Sequence, residues 1–149
     1  MSVATDTANA VVSFLNAGDF GEPLTASRTY RPMVELKELG ETILLSVVPA
    51  SIGYQRMSRA DTQCSMRVDI GVQTRIQSNA DDPPAIDAEI EAMLLMVEKI
   101  ALELRGERLP DMDCALCLTV ENEPVYVAEY IETKRMFMSV LQVFLEVLP

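Results

Sequence analysis

The sequence contains no histidine and no tryptophan, and aromatic residues make up only 5% of its 149 residues. The missing histidine excludes Ser-His-Asp triads, Cys-His pairs and histidine-ligated metal sites, because each of them needs an imidazole. A glycine-rich phosphate loop is missing as well, which disfavours a nucleotide-binding enzyme. The sequence therefore predicts no catalytic residues, no cofactor and no metal site.

Cysteine is scarce: there are three cysteines, at Cys64, Cys114 and Cys117. An odd number does not suggest a secreted disulfide framework. Cys114 and Cys117 have C-x-x-C spacing, but residues 118–120 look extended, whereas a redox pair normally opens a helix. A zinc site would need further Cys or His ligands. We therefore interpret the cysteines as structural.

Positive charge is also scarce, since 12 Lys and Arg stand against 23 Asp and Glu, for a formal net charge of −11. Such a chain repels phosphate, so neither tight non-specific nucleic-acid binding nor binding to an anionic membrane is expected. Residues 85–104 and 130–148 are the longest candidate membrane spans, but each contains several charged residues. The N-terminus lacks the basic region of a signal peptide. We expect a soluble, intracellular protein.

Apolar residues, in contrast, are plentiful at 49% of the chain, which predicts a single domain over residues 1–149 with one core. The clearest periodic signal is MRVDIGVQTRIQ, from Met66 to Gln77. Its unbroken alternation of apolar and polar residues predicts a strand with one buried and one polar face. At about 3.3 Å per residue this strand would span roughly 40 Å.

Two stretches have helical periodicity. Residues 5–16 carry a short apolar stripe, with Thr5 or Asp6 as the cap and a stop at residues 16–18. Residues 85–105 carry a longer stripe, with Asp82 as N-cap and Pro83 in the first turn. The carboxylates of this longer helix could form an acid/base pair, but a solvated helix face suits them better.

Further strands are predicted over residues 30–37 and 42–48, with Pro49 ending or bulging the second of them. Residues 18–28 are interpreted as a loop, and residues 50–62 as an exposed connection. Residues 107–129 give no clear pattern beyond a short extended run at 115–120. These weaker patterns leave the connections between the main elements open.

The segment KRMFMSVLQVFLEVLP, residues 134–149, is interpreted as a strand. A helix would leave Val140, Val143 and Phe144 off its apolar stripe, whereas alternation places Leu141 and Val143 on one face. Both faces are partly apolar. The pattern therefore predicts a central strand, or one whose second face meets another subunit.

Together these elements predict an α+β fold. The expected architecture is a mainly antiparallel sheet of four to five strands, with two helices packed on one face. The other face of the sheet is then left for a different partner.

Two segments carry a resemblance to a known family. SRADTQCSMRVDIGVQTRI, residues 58–76, joins a polar, arginine-containing run to a strand with an IDIGVQ-type core. YIETKRMFMSVLQVFLEV, residues 130–147, joins a charged approach to an F-x-S-V-L strand. With the acidic helix at 85–105 between them, the chain resembles the tail-terminator-like, or tail-completion, proteins of long-tailed bacteriophages.

This resemblance implies a non-enzymatic virion structural protein, assembled in the host cytoplasm. Such proteins form an oligomeric ring, usually a hexamer, at the head-proximal end of the tail. The ring terminates tail-tube growth and helps to join head and tail. Its expected partners are copies of itself, the tail-tube protein and the head–tail connector proteins. DNA would pass through without tight binding, and an acidic lumen would let it slide.

Two other interpretations stay open. Within virion assembly, the chain could be a head-completion protein or a minor tail protein. In a different class, it could be a small α+β ligand-binding domain or enzyme, because Tyr, Arg and Asp can catalyse without histidine.

If a ring forms, we expect subunit contacts on the polar face of the long strand, because alternating charges of both signs suit pairing with a neighbour. The candidates there are Arg67, Asp69, Gln73 and Arg75. An ordinary solvated sheet face is an equally good interpretation. Arg56 and Arg59, in the preceding loop, are candidates for contact with an acidic partner.

Overall fold

The helices and strands are those of a computed structural model, which describes residues 2–31, 33, 39–40, 42–58, 62–109 and 112–148. These residues form three helices and six strands. In chain order they are α1 Val3–Ala17, β1 Leu24–Arg28, β2 Ile43–Arg56, β3 Thr62–Arg75, α2 Pro83–Leu104, β4 Arg108–Leu109, β5 Met112–Asn122, α3 Ala128–Lys134 and β6 Met136–Val147.

The strands form one sheet in the order β1-β2-β3-β6-β5-β4. β1 lies parallel to β2, and the other neighbouring pairs are antiparallel. The α+β class is thereby confirmed. The finer prediction, of four to five strands and two helices, is corrected to six strands in a mixed sheet with three helices.

β6 is the central strand that its apolar pattern predicted. It lies between β3 and β5, and Leu141 pairs with Ile70 in the middle of the sheet. Phe137, Leu141 and Leu145 belong to the main core. On the opposite face Met136 is buried as well, so β6 is covered from both sides over its first half.

The main core lies between one face of the sheet and the helices α1 and α2. α1 packs mainly against β1 and β2 and also touches β4 and β5, whereas α2 packs against β5 and β6. Alternate residues of the central strands point into this layer, because successive side chains of a strand face opposite sides. The sheet residues of the core come from both halves of the sheet and include Leu45, Val47, Val68, Ile70, Leu141 and Val143.

The ends of the helices follow local chemistry, with one correction. Asp82 is the N-cap of α2, and its Oδ1 accepts a hydrogen bond from the Ala85 N–H at 3.3 Å, as predicted. The cap of α1 is Ser2, whose Oγ accepts from the Thr5 N–H at 3.1 Å, so the prediction of Thr5 or Asp6 was wrong. The helix begins earlier because Ser2 already satisfies the free N–H groups of its first turn.

α1 ends at its C-cap, Gly18, where the ring of Phe20 lies close to the backbone. The end of the helix does not use a residue in the left-handed conformation. Gly18 has an extended backbone, with φ −83°. A Cβ at this position would lie 2.5 Å from the ring of Phe20, which is buried. The glycine therefore gives space for the aromatic ring that closes the core below α1.

β1 and part of β2 lie where the sequence suggested loops. Residues 24–28 form β1, and Asn16 holds this strand through hydrogen bonds between its side-chain amide and the backbone of Ala26, at 2.9 and 3.1 Å. Residues 50–56 continue β2 beyond a bulge at Pro49. Both stretches are weakly apolar, and it is pairing with a distant strand that makes them extended.

The segment at 107–129 contains β5 and the start of α3, neither of which had a clear local signal. β5 extends the short run at 115–120 in both directions. α3 is a short helix with no buried residue, so it lacks the apolar stripe that would have predicted it. The strand predicted at 30–37 falls largely outside the described residues.

We predict that Leu141→Ala lowers the free energy of unfolding by about 2–5 kcal/mol, because it leaves a cavity at a fully buried position. Urea denaturation followed by circular dichroism measures this change. Leu148→Ala, at a position 56% exposed just beyond the same strand, is the matched control and should change stability little. Equal losses in the two variants would contradict the placement of β6 at the centre.

Candidate assembly surfaces

The four predicted interface residues share the sheet face that points away from α1 and α2. Their partners in the register with β6 are Phe144, Gln142, Met138 and Met136, in the order Arg67, Asp69, Gln73, Arg75. The sequence predicted that this face would be polar. The structure shows that the two ends of this face differ in solvent exposure. The side chains at one end are largely buried within the chain, and those at the other end are partly exposed.

The buried end contains Gln73 and Arg75. Gln73 is fully buried, and its Nε2 lies 3.3 Å from the Sδ of Met136. Arg75 donates a hydrogen bond from Nη2 to the carbonyl oxygen of Leu39 at 3.0 Å. Both residues therefore make contacts within the chain, and their participation in subunit contacts stays a prediction.

The half-open end contains an ion pair between Arg67 and Asp69. The Arg67 Nε lies 3.1 Å from Asp69 Oδ1, and Nη2 donates to Oδ2 at 3.4 Å. The side chains are 38% and 18% exposed, respectively. Because the two residues are two positions apart on one strand, their side chains lie on the same face and can pair along it.

Burial is the main influence on the Asp69 carboxyl and raises its pKa above the usual value, although the charge and the hydrogen bond of Arg67 oppose the shift. The ionised form therefore costs folding free energy in the isolated chain. The Asp69 Oδ1 atom keeps Arg67 as its ion-pair partner, whereas the hydroxyl of the fully buried Ser46 has no hydrogen-bond partner among the described residues.

Apolar side chains surround the ion pair. Leu116 and Phe144 are half-buried, Val48 is buried, and Leu118, at the bulge in β5, is 45% exposed. We call this end of the sheet the open face, and it consists of Val48, Arg67, Asp69, Leu116, Leu118, Gln142 and Phe144. Such a mixed apolar and charged surface is typical of contacts between proteins.

Of the two arginines predicted to contact an acidic partner, Arg56 and Arg59, the structure describes only the first. Arg56 is the last residue of β2, and its Nε donates to the Ser58 carbonyl at 3.0 Å. Arg59 lies outside the described residues. Next to Arg56, Tyr54 and Met57 are 70% and 58% exposed. We call Tyr54, Arg56 and Met57 the hairpin tip.

The hairpin tip is a cationic site in an anionic chain. Residues 42–60 contain two Arg and no Asp or Glu, and Asp61 follows them, although the chain has 23 acidic residues. Two large exposed apolar side chains and an exposed arginine lie within four residues at the end of the β2–β3 hairpin. The sequence analysis named Arg56 as a candidate for contact with an acidic partner, but it did not predict the exposed Tyr54 and Met57, because residues 50–62 were interpreted as an exposed connection.

The outer side of α2 is a second surface that the sequence analysis missed. Leu95 and Leu102 are each 59% exposed and lie seven positions apart. That spacing returns them to the same side of a helix. Carboxylates lie on this side too, and we call the set Asp87, Glu91, Leu95, Glu98 and Leu102 the outer stripe. In the sequence, the feature that could have revealed this surface was the pair of leucines, Leu95 and Leu102, outside the main apolar stripe of the helix.

A separate polar cluster joins three elements. The Glu89 carboxylate of α2 accepts hydrogen bonds from the Gln77 N–H at 2.7 Å, the Ser78 N–H at 2.9 Å and the Ser78 hydroxyl at 2.6 Å. Arg135, just before β6, donates to the Ser78 carbonyl. Burial raises the pKa of Glu89, but these hydrogen bonds and the nearby Arg135 charge outweigh burial, so the net pKa is lowered.

The cysteines have different environments. Cys64 and Cys117 are buried and Cys114 is exposed. Burial raises the pKa of Cys117 to about 11, against a small opposing effect of the Gly106 backbone. Its thiol therefore stays protonated at neutral pH and is a poor nucleophile. Within the described ranges, no group of three or more Cys, Asp or Glu residues is placed to hold a metal ion.

Comparison with protein-family models and with curated protein sequences gave no match. None of the helices in the described part of the chain is both long enough and apolar enough to cross a membrane.

We predict that Asp69→Asn changes the free energy of unfolding by an amount that depends on pH. The change, measured relative to the unchanged chain, should be more stabilising at pH 7 than at pH 3. The raised pKa means that ionised Asp69 costs stability above its folded pKa, and the cost vanishes below the reference value of 3.8. Urea unfolding at both pH values measures the difference. Asp81→Asn, at an exposed loop position, is the control. The opposite pH trend would show that the Arg67 ion pair outweighs burial.

We predict that Glu89→Gln destabilises the fold at pH 7 and that its effect shrinks below about pH 4. A lowered pKa gives stability that is present above the unfolded pKa and is lost as pH falls through the folded one. Glutamine also offers one acceptor oxygen where the carboxylate offers two. Denaturation at several pH values tests this, with the exposed Glu103→Gln as control. A constant difference at all pH values would contradict the prediction.

Proposed function

We propose that this chain is a non-enzymatic structural protein of a phage virion, which assembles into a ring at the head-proximal end of the tail. In this role it terminates tail-tube growth and helps to join head and tail. Its partners are then other copies of the chain, the tail-tube protein and the head–tail connector proteins.

The resemblance to tail-terminator-like proteins supports this identity, and its two segments are neighbours in the fold. Residues 62–75 of the first segment form β3, and residues 136–147 of the second form β6. These strands pair from Cys64 with Val147 to Arg75 with Met136. The residues that carry the resemblance therefore make up the central pair of the sheet.

The observation that carries the assembly role is the open face. Half-buried Leu116 and Phe144 lie on the side of the sheet away from the main core, next to the Arg67–Asp69 pair. A second subunit on this face would remove apolar area from water, at about 25 cal/mol per Å².

The acidic composition supports the placement around DNA. With a net charge of −11 per chain, a ring of several copies would have a strongly negative field. DNA passing through it would be repelled from the wall and not bound to it. DNA can slide through a channel only if it does not bind tightly to the channel wall.

We predict that the purified chain forms a ring with a central channel, because its open face is half-exposed in a single copy. The resemblance to tail-terminator-like proteins implies a ring of six copies. Size-exclusion chromatography with light scattering gives the mass, and negative-stain electron microscopy shows the channel.

Asp69→Arg places a second cation beside Arg67 and should shift the mass towards the monomer. Asp81→Arg, the same change at an exposed loop position, is the matched control. A chain that stays monomeric at the highest soluble concentration would contradict the proposed function.

A further inference from the structure

We infer that the outer stripe of α2 receives the hairpin tip of a neighbouring copy. This inference rests on the proposed function, because it names a second contact, besides the open face, between neighbouring copies of the assembly.

The outer stripe has the pattern of a docking surface. At about 100° per residue, Asp87, Glu91, Leu95, Glu98 and Leu102 fall within about 80° of the helix circumference. They lie opposite the buried side of α2, which includes Val97 and Ile100. Two leucines that are each 59% exposed thus lie in one row between carboxylates. A solvated helix face would normally hold polar side chains at those two positions.

The outer stripe also adjoins a groove. Ile90 and Glu91 of α2 line it together with Tyr126 and Ile131, from the region of α3. Tyr126 is 49% exposed. The groove combines apolar side chains with the carboxylates of Asp87, Glu91 and Glu132. The mixed apolar and acidic surface of the outer stripe therefore continues towards α3, which gives a bulky side chain more than the helix surface alone to contact.

The hairpin tip has the complementary chemistry. Tyr54 and Met57 supply exposed apolar side chains, and Arg56 supplies a positive charge in a stretch, residues 42–60, that contains no acidic residue. Methionine adapts to irregular apolar surfaces, and arginine can donate two parallel hydrogen bonds to a carboxylate. Exposed apolar side chains and opposite charges thus occur together on these two surfaces.

The positions of the two surfaces favour a second copy as the occupant. The hairpin tip ends the pair β2–β3, whereas α2 packs against β5 and β6. The two surfaces therefore belong to different elements of the chain and differ in chemistry. A contact between two different surfaces repeats head to tail from copy to copy, which is how cyclic rings are built.

The two components of this contact have different roles. Ion pairs at the rim of an interface contribute little affinity but set specificity and orientation. Burial of Met57 and Tyr54 against Leu95 and Leu102 is the main source of affinity. Reversing one charge places like charges against each other, so it should weaken the contact. Reversing the partner charge as well restores the attraction and should restore the contact.

The test is a pair of charge reversals, Arg56→Glu and Glu98→Arg, in the full chain. Each single variant should raise the dissociation constant of the assembly by about tenfold or more, measured by sedimentation velocity over a range of concentrations. The double variant should recover most of this loss. Arg31→Glu and Glu103→Arg, at exposed positions outside both surfaces, are matched controls and should assemble like the unchanged chain.

A second variant tests the apolar component. Leu102→Asp removes an exposed apolar group, so it should weaken assembly without changing the circular dichroism spectrum. A stable assembly that none of these variants weakens would overturn this contact and leave the proposed function standing. A chain that never assembles would overturn both. If Arg56→Glu instead abolished binding to a double-stranded DNA fragment and left assembly unchanged, the tip would be assigned to nucleic acid and the inference would fail.

Discussion

The pairing of β3 with β6 is the contact on which the rest of this structure depends. Ile70 and Leu141 pair at its centre, and both residues are fully buried. Because the two strands are in the middle of the sheet, their alternating side chains create two faces at once. One face receives α1 and α2. The other is buried around Gln73 and Met136 and half-open around Asp69 and Phe144, and this unequal cover is what points to assembly.

Much of this arrangement could be predicted from local patterns. The alternation in β3 is a short-range property, and so are the Asp82 cap and the apolar stripe of α2. β1 could not be predicted, since it is short, follows Pro23 and is held by distant partners, including the Asn16 side chain. The burial of Gln73 was also beyond local rules, because cover over the second face of a central strand comes from residues far away in the chain.

The candidate site was predicted only in part. The charged positions Arg67 and Asp69 were correctly assigned to one face of β3, and the structure brings them together as an ion pair. The hairpin tip was underestimated, because an exposed strand end and a loop have similar composition. The outer stripe was missed since its two leucines, Leu95 and Leu102, are separated by residues of the core stripe. Surfaces of this kind emerge only when burial is known residue by residue.

The central claim is that another copy of the chain covers surfaces that are exposed in one copy. Hydroxyl-radical footprinting of the assembled and dissociated protein tests it most directly, because side-chain oxidation measures solvent access at each residue. The account predicts that Phe144 on the open face and Met57 at the hairpin tip are protected in the assembly. Tyr30, which is 72% exposed and outside both surfaces, should react equally in both states. Equal oxidation of Phe144 and Met57 in the two states would contradict the account.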